Sequence, residues 1–129
     1  MRTKFMGLTI LAAVIAISVP AFAHVYGAGN PNPTNCPNGN VCVYVYDNYG
    51  VGALGGVYAS GNGEVDDWPE PHRDSDNSAF NDWDVNQARF YEGVNQTGGW
   101  YCLNPNGGNQ NLPFHHDNQG NSHLVLVSC

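Results

Sequence analysis

The chain is 129 residues long, carries 4 Lys plus Arg against 11 Asp plus Glu for a formal charge of −7, and contains 16 glycines. That length builds one domain with a modest core and not two. The acidic balance argues against nucleic acid, whose counterions only a basic surface replaces, and against an anionic membrane surface.

Arg2 and Lys4 precede an apolar run from Met6 to Val19, then Pro20 and the small-residue exit Ala21-Phe22-Ala23. This is the three-part pattern of a cleavable signal peptide over residues 1–23; the run is too short for a spanning helix, which needs about 20 apolar residues. Cleavage leaves 106 residues beginning at His24, with only Arg73 and Arg89 against all 11 acids, so the exported part carries −9. It is expected to be a secreted, extracellular monomer. A histidine at a new N-terminus brings an amine and an imidazole together, the opening of a copper brace that His72, His115, His116 or His123 would have to complete. The Gly/Pro/Asn-rich stretch behind it offers no rigid frame, and copper is set aside.

Residues 24–40 read as a flexible arm held down only at Cys36, and 41–129 as the ordered domain. The four cysteines, Cys36, Cys42, Cys102 and Cys129, all lie in the exported part, where disulfides form. Four cysteines allow three pairings. Cys36 and Cys42 bracket a turn-prone stretch that can close a short loop, which leaves Cys102 for Cys129. A zinc site lacks a C-x2-C pair.

Val41 to Tyr46 is β-branched and aromatic without helical period, and Asp47-Asn48-Tyr49-Gly50 breaks it as a turn. Short runs of the same kind recur at 56–59, 88–91, 100–103 and 123–127, each bounded by Gly, Asn or Pro. No stretch sustains apolar residues at i, i+3, i+4 and i+7, so the fold class is all-β. A faint repeat relates Val43-Tyr44, Tyr49-Gly50 and Gly55 to Tyr58 with Phe90-Tyr91, Gly98-Gly99 and Trp100-Tyr101, and Asp76-Asn77 with Asp117-Asn118. Two duplicated four-stranded units are expected.

The acids between Glu64 and Asp84 read as a solvated loop rather than a cation site. They do not form an EF-hand: Ala79 stands where glycine is needed and Val85 where the closing Glu belongs. His115-His116 reads as a polar loop, and Trp68, Trp83 and Trp100 as core rather than a sugar-stacking face. The cysteines are assigned to bridges and nothing in the acidic stretch buries a carboxylate for acid-base work, so an enzyme is not expected.

Cys36-Pro37-Asn38-Gly39-Asn40-Val41-Cys42-Val43-Tyr44 resembles the opening C-P-x-G-x-x-C-x-Y of small secreted actinobacterial proteins grouped as a metalloproteinase inhibitor family, within the microbial βγ-crystallin-like domains. The likeness runs from about Asn35 to Cys129. It implies a βγ-crystallin-like Greek-key sandwich of two four-stranded units, disulfide-stapled, with Cys36 paired to Cys42. Tyr44 and Tyr49 are similar to the crystallin aromatic-x4-aromatic turn, in which the first aromatic packs over a folded hairpin; Val51 takes the place of the motif's glycine, and the second copy, from Tyr91 to Gly99, is one residue longer. Asp117-Asn118-Gln119-Gly120-Asn121-Ser122 resembles the [ND]-[ND]-x-x-[ST]-S calcium loop, with Asn121 in place of the hydroxyl residue, and Asp76-Asn77 keeps the opening pair of a second. Calcium through Asp117, Asn118 and Ser122, with Asp76 and Asn77 in the weaker loop, is therefore the cofactor the resemblance implies.

The implied function is binding and inhibition of an extracellular protease. The alternative is a calcium-binding structural or stress protein without inhibitory activity. In the inhibitory member of the family the reactive bond sits on a loop closed by a closely spaced second cysteine pair, which Cys102 and Cys129 do not reproduce. The inhibitory loop is not assigned; Leu103-Asn104-Pro105-Asn106, anchored at Cys102, is the one segment similar to it.

Overall fold

A computed structural model describes residues 24–26, 33–51 and 56–129. The signal-peptide reading of 1–23 lies outside these residues. Nine strands are described: β1 (His24–Tyr26), β2 (Val41–Tyr44), β3 (Val57–Ser60), β4 (Glu64–Val65), β5 (Ser78–Asn81), β6 (Gln87–Gly93), β7 (Thr97–Leu103), β8 (Gly107–Asn109) and β9 (Ser122–Leu126), with a short 3-10 turn over Asp47–Tyr49. No helix among the described residues is long and apolar enough to cross a membrane.

The strands form two sheets, ordered β3-β2-β5-β8 and β1-β7-β6-β9-β4. Numbered within each half, the first sheet holds strands two, one and four of the first half and strand three of the second. The other sheet is its mirror in composition, with β4 donated by the first half. Each half is a Greek key that lends its third strand to its twin, so neither sheet closes without both halves. All pairings within these two four-stranded sets are antiparallel. The two four-stranded units expected from the repeat are thus present.

One addition was not expected. His24–Tyr26, placed in the arm by the sequence, runs parallel to β7 with His24 opposite Tyr101 and Tyr26 opposite Leu103. β7 would otherwise expose a row of unpaired backbone groups, and a short edge strand covers them.

Strand β2 explains why its sequence lacks alternation. Val41 and Val43 face inward, where Trp68, Ala79, Ala88, Phe90, Tyr101, Leu103 and Leu112 fill the space between the sheets. Cys42 and Tyr44 face outward, yet they too are buried, beneath Cys36, Tyr49 and Phe80 in a second small core. A strand covered on both faces needs apolar residues at every position. Across β6 and β7, Phe90 and Tyr101 lie opposite each other with rings stacked at 4.8 Å, a cross-strand pair of the kind that stabilises sheets.

Disulfides join Cys36 to Cys42 and Cys102 to Cys129, with sequence separations of 6 and 27. Loop-closure entropy grows with the length enclosed. Replacing Cys102 and Cys129 by Ser is expected to cost about 3–4 kcal/mol in urea unfolding, against about 2 kcal/mol for the Cys36/Cys42 pair; an equal or reversed ranking would show that the short bridge acts through the outer core it covers.

Candidate functional site

The hydrogen bonds carry a pseudo-two-fold more clearly than the sequence does. In the first half, Asn77 N–H bonds to Tyr44 O, its side-chain amide to Val45 O, and Ser78 Oγ donates to Tyr46 O while accepting Tyr49 N–H. In the second, Asn121 N–H bonds to Tyr91 O, its amide to Glu92 O, and Ser122 Oγ donates to Gly93 O while accepting Gln96 N–H. Asn48 and Tyr49 in one half, and Asn95 and Gln96 in the other, all take positive φ between 53° and 57°, the left-handed conformation that Asn adopts most readily among residues with a Cβ.

These bonds correct the register of the repeat. Asp117-Asn118 does not correspond to Asp76-Asn77. Asn77 matches Asn121 and Ser78 matches Ser122, which sets Asp74 against Asn118 and Asp76 against Gly120. The paired loops confirm it across the axis, where Asp74 N–H bonds to Gly120 O at 2.9 Å and Asn118 N–H to Asp76 O at 2.8 Å. The first turn copy has Tyr44 and Tyr49 rings 5.2 Å apart, the expected aromatic pair. In the second, Gln96 replaces the outer aromatic and bonds to Val65 O, and no extra residue separates it from Tyr91.

Where the two loops meet, the axis is broken by one carboxylate. Asp76 is fully buried. Its Oδ1 accepts the N–H groups of Gln119 (3.0 Å) and Gly120 (2.7 Å), and Tyr101 Oη donates to its Oδ2 at 3.3 Å. A Cβ on Gly120 would lie 2.5 Å from Trp68 Cζ3 and 2.6 Å from Asp76 Oδ2, so the acid on one side requires a glycine on the other. Burial pushes the Asp76 carboxyl up to about 7, against the pull of its backbone donors. His123, also buried, accepts Trp68 Nε1–H on Nδ1 at 2.9 Å and meets Asn62 O with Nε2 at 3.1 Å, the arrangement of a neutral ring. Burial lowers its pKa to about 4.

The residues of the calcium reading are spread over this region. Asp76 and Ser122 spend their oxygens on the bonds above, and the Asn77 amide on Val45 O. Asn118 is exposed, and Asp117, half-buried beside it, has a carboxyl raised first by loss of solvent and then by the charge of Asp47. Among the described residues no three His, Cys, Asp or Glu side chains are grouped to hold a metal ion. His115-His116, read as a polar loop, is a turn in which His116 is buried, 5.1 Å from the Tyr101 ring and 3.5 Å from Glu92. Trp68 lies in the core, Trp83 packs against it, and Trp100 carries Arg89 over its ring at 4.1 Å.

The opposite end of β2 and β5 holds a feature that sequence reasoning did not single out. Asn81, where the other half has the apolar Val125, is fully buried, and its amide donates to Asn86 O (2.9 Å), Leu103 O (3.3 Å) and Asn104 O (3.1 Å), while its Oδ1 accepts Trp83 N–H. Gln87 Nε2 adds a bond to Asn104 Oδ1 at 2.6 Å, and Asn106 bonds to Trp83 O. Cys102 and Leu103 are buried in β7, so the exposed part of this segment begins at Asn104. Beside it Val85 stands 77% exposed.

The sequence profile of peptidase inhibitor family I36 matches residues 29–103, more than half of the chain. Two solved structures are similar in fold: one described under the evolution of the eye lens βγ-crystallin domain fold, with a TM-score of 0.59, 18% identity, and 78% of this chain and 92% of that chain covered, and a βγ-crystallin from an archaeon, with a TM-score of 0.54, 22% identity, and 70% and 100% covered. No protein of curated function matches the sequence. The fold is that of the βγ-crystallins.

The two buried titrating groups oppose each other. The folded pKa of Asp76 lies above its unfolded value of 3.8, so its contribution to stability is full below about pH 4 and is lost as pH rises to about 7. His123 is lowered from 6.5, so its contribution is full above about pH 6.5 and is lost as pH falls to about 4. Asp76→Asn keeps an acceptor for the two N–H groups and removes only the first effect. Relative to the parent, the variant is expected to gain up to about 4 kcal/mol between pH 4 and pH 7, measured by chemical unfolding across that range; a pH-independent difference would contradict the burial argument.

Proposed function

The chain belongs to peptidase inhibitor family I36, and from that membership we propose that it is an exported inhibitor of an extracellular peptidase and has no catalytic activity of its own. Two features support export: the signal-like pattern of Met1 to Ala23, and two disulfides of the kind that persist in oxidising compartments. A metalloprotease is the first target to test, because the opening cysteine motif resembles inhibitors of that class.

The observation that carries the reading is the Asn81 clamp. An inhibitor must offer a segment that does not lose conformational entropy on binding and does not relax after encounter. The relative with a closely spaced cysteine pair meets this covalently. Here one buried amide bonding three carbonyls holds Asn104 to Asn106 against the 82–86 loop, with Pro105 stiffening the middle and Val85 as an apolar neighbour. The contact surface is therefore this pole, Asp84-Val85 together with Asn104-Pro105-Asn106. The calcium-binding alternative asks Asp76 and Ser122 for oxygens already committed within the fold, and the inhibitor reading is preferred.

The test is residual activity of a thermolysin-like and a subtilisin-like protease at excess domain, with and without calcium, and the integrity of the domain by gel. Inhibition of the metalloprotease is expected, independent of calcium and without cleavage. Asn81→Asp, which removes the donors, should weaken inhibition about tenfold or more, equivalent to about 1.4 kcal/mol. Gln87→Ala, at a half-buried position, should give a smaller loss with the fold intact. Full activity of both proteases at excess domain overturns the proposal.

A further inference from the structure

Asparagine is followed by glycine three times, at Asn38-Gly39, Asn62-Gly63 and Asn106-Gly107. In such a pair the glycine nitrogen can attack the side-chain carbonyl carbon of the asparagine, because glycine has no Cβ to obstruct ring closure. In a folded chain the reaction needs a glycine N–H that nothing holds and a side-chain amide free to turn onto it. The three pairs differ in both respects.

The Gly39 N–H is held by Asp82 O at 3.1 Å. The other two pairs are 44 positions apart, the spacing of the repeat, and each lies where a third strand crosses to the opposite sheet. The second of them is fastened: Asn106 N–H bonds to Trp83 O, its side-chain amide reaches Asp84 Oδ1 at 3.4 Å, and Gly107 is buried opposite Asn81. The first is not. Asn62 is exposed, and neither its side-chain amide nor the Gly63 N–H has a hydrogen-bond partner among the described residues. Its main chain, by contrast, reaches inward. Asn62 O meets Nε2 of the fully buried His123 at 3.1 Å, His123 Nδ1 accepts Trp68 Nε1–H, and Gly63 O accepts Val125 N–H.

We propose that Asn62 is a site of spontaneous deamidation and isoaspartate formation, through which a change in an exposed connection reaches the core at His123. The Gly63 nitrogen bonds to Asn62 Cγ, the Cγ–Nδ2 bond breaks, and the side-chain nitrogen leaves as ammonia with the Gly63 proton, closing a succinimide. Water then opens the ring. Addition at Cγ gives aspartate; addition at the main-chain carbonyl carbon gives isoaspartate. In the isoaspartate the main chain runs through Cβ and Cγ, one methylene longer, and the carbonyl facing His123 becomes a free carboxylate. The longer connection no longer fixes the acceptors of His123 and Val125, and buried donors without fixed acceptors cost stability. Aspartate leaves the main chain unchanged and adds only an exposed charge. The site does not depend on whether inhibition occurs.

The protein is incubated for days in mildly alkaline buffer, and its peptides are followed by mass spectrometry with electron-transfer fragmentation, which distinguishes isoaspartate from aspartate. Conversion is expected first at residue 62, at least about fivefold faster than at residues 38 and 106, the order of ratio that one hydrogen bond on a reacting group supplies. Gly63→Ala should slow it at least about fivefold without moving the urea midpoint, since a Cβ there meets only Val125 Cβ at 3.8 Å. The isolated isoaspartate form should unfold at lower urea and shift the His123 ring and Trp68 indole signals; Asn62→Asp should do neither. Equal conversion at the three pairs, faster conversion at residue 38 or 106, or an isoaspartate form with the parent's midpoint and His123 signals overturns the proposal.

Discussion

Both halves of this domain turn on the same corner, an asparagine followed by a serine. The asparagine amide bonds back to the end of the strand that starts its half or to the residue just after it, and the serine hydroxyl is shared between a carbonyl and an N–H of the folded hairpin. Buried polar groups on a hairpin curled over a sheet would cost about 1–3 kcal/mol each if left unmade. The Asn-Ser pair satisfies them at the point where strand four begins, fixing the register of β5 on β2 and of β9 on β6. With both corners set, the third strands can only cross to the opposite sheet, and the core between the sheets follows.

The duplication is not symmetric in use. At the axis, Asp76 fills the space that its counterpart Gly120 leaves empty, so one buried acid joins the loops of both halves and links stability to pH. At one pole, Asn81 stands where the twin has Val125, and an amide in place of an apolar side chain clamps the β7–β8 turn. At the other pole, Tyr46 stands where the twin has Gly93 and lines a cleft of about 290 Å³. Each departure puts a polar or aromatic group where packing alone would choose otherwise, which is where functional sites are expected.

Strands β2, β3, β6, β7 and β9 were legible in the sequence because β-branched and aromatic residues cluster there between turn formers, and the all-β class and duplication followed from them. β5 and β8 were not, because Ser78-Ala79-Phe80-Asn81 and Gly107-Gly108-Asn109 owe their strand state to neighbours already in place and have little propensity of their own. The Asp-Asn doublets misled the register of the repeat because two matching residues were weighed without their context. A longer signal was present: Pro69, His72, Asn77 and Ser78 recur as Pro113, His116, Asn121 and Ser122, at a constant spacing of 44. The Asn81 clamp could not be read ahead, since a single asparagine in a strand does not announce which carbonyls will surround it.

Under the proposed reading, the peptidase contact lies at the pole held by Asn81. Hydrogen exchange of the domain alone and in complex with a thermolysin-like metalloprotease tests this most directly. The account predicts new protection confined to the backbone amides of residues 82–86 and 103–107, with those around Tyr46 and Asn118 unchanged. Protection centred on the opposite pole, or none in these two segments of a stable complex, would contradict it.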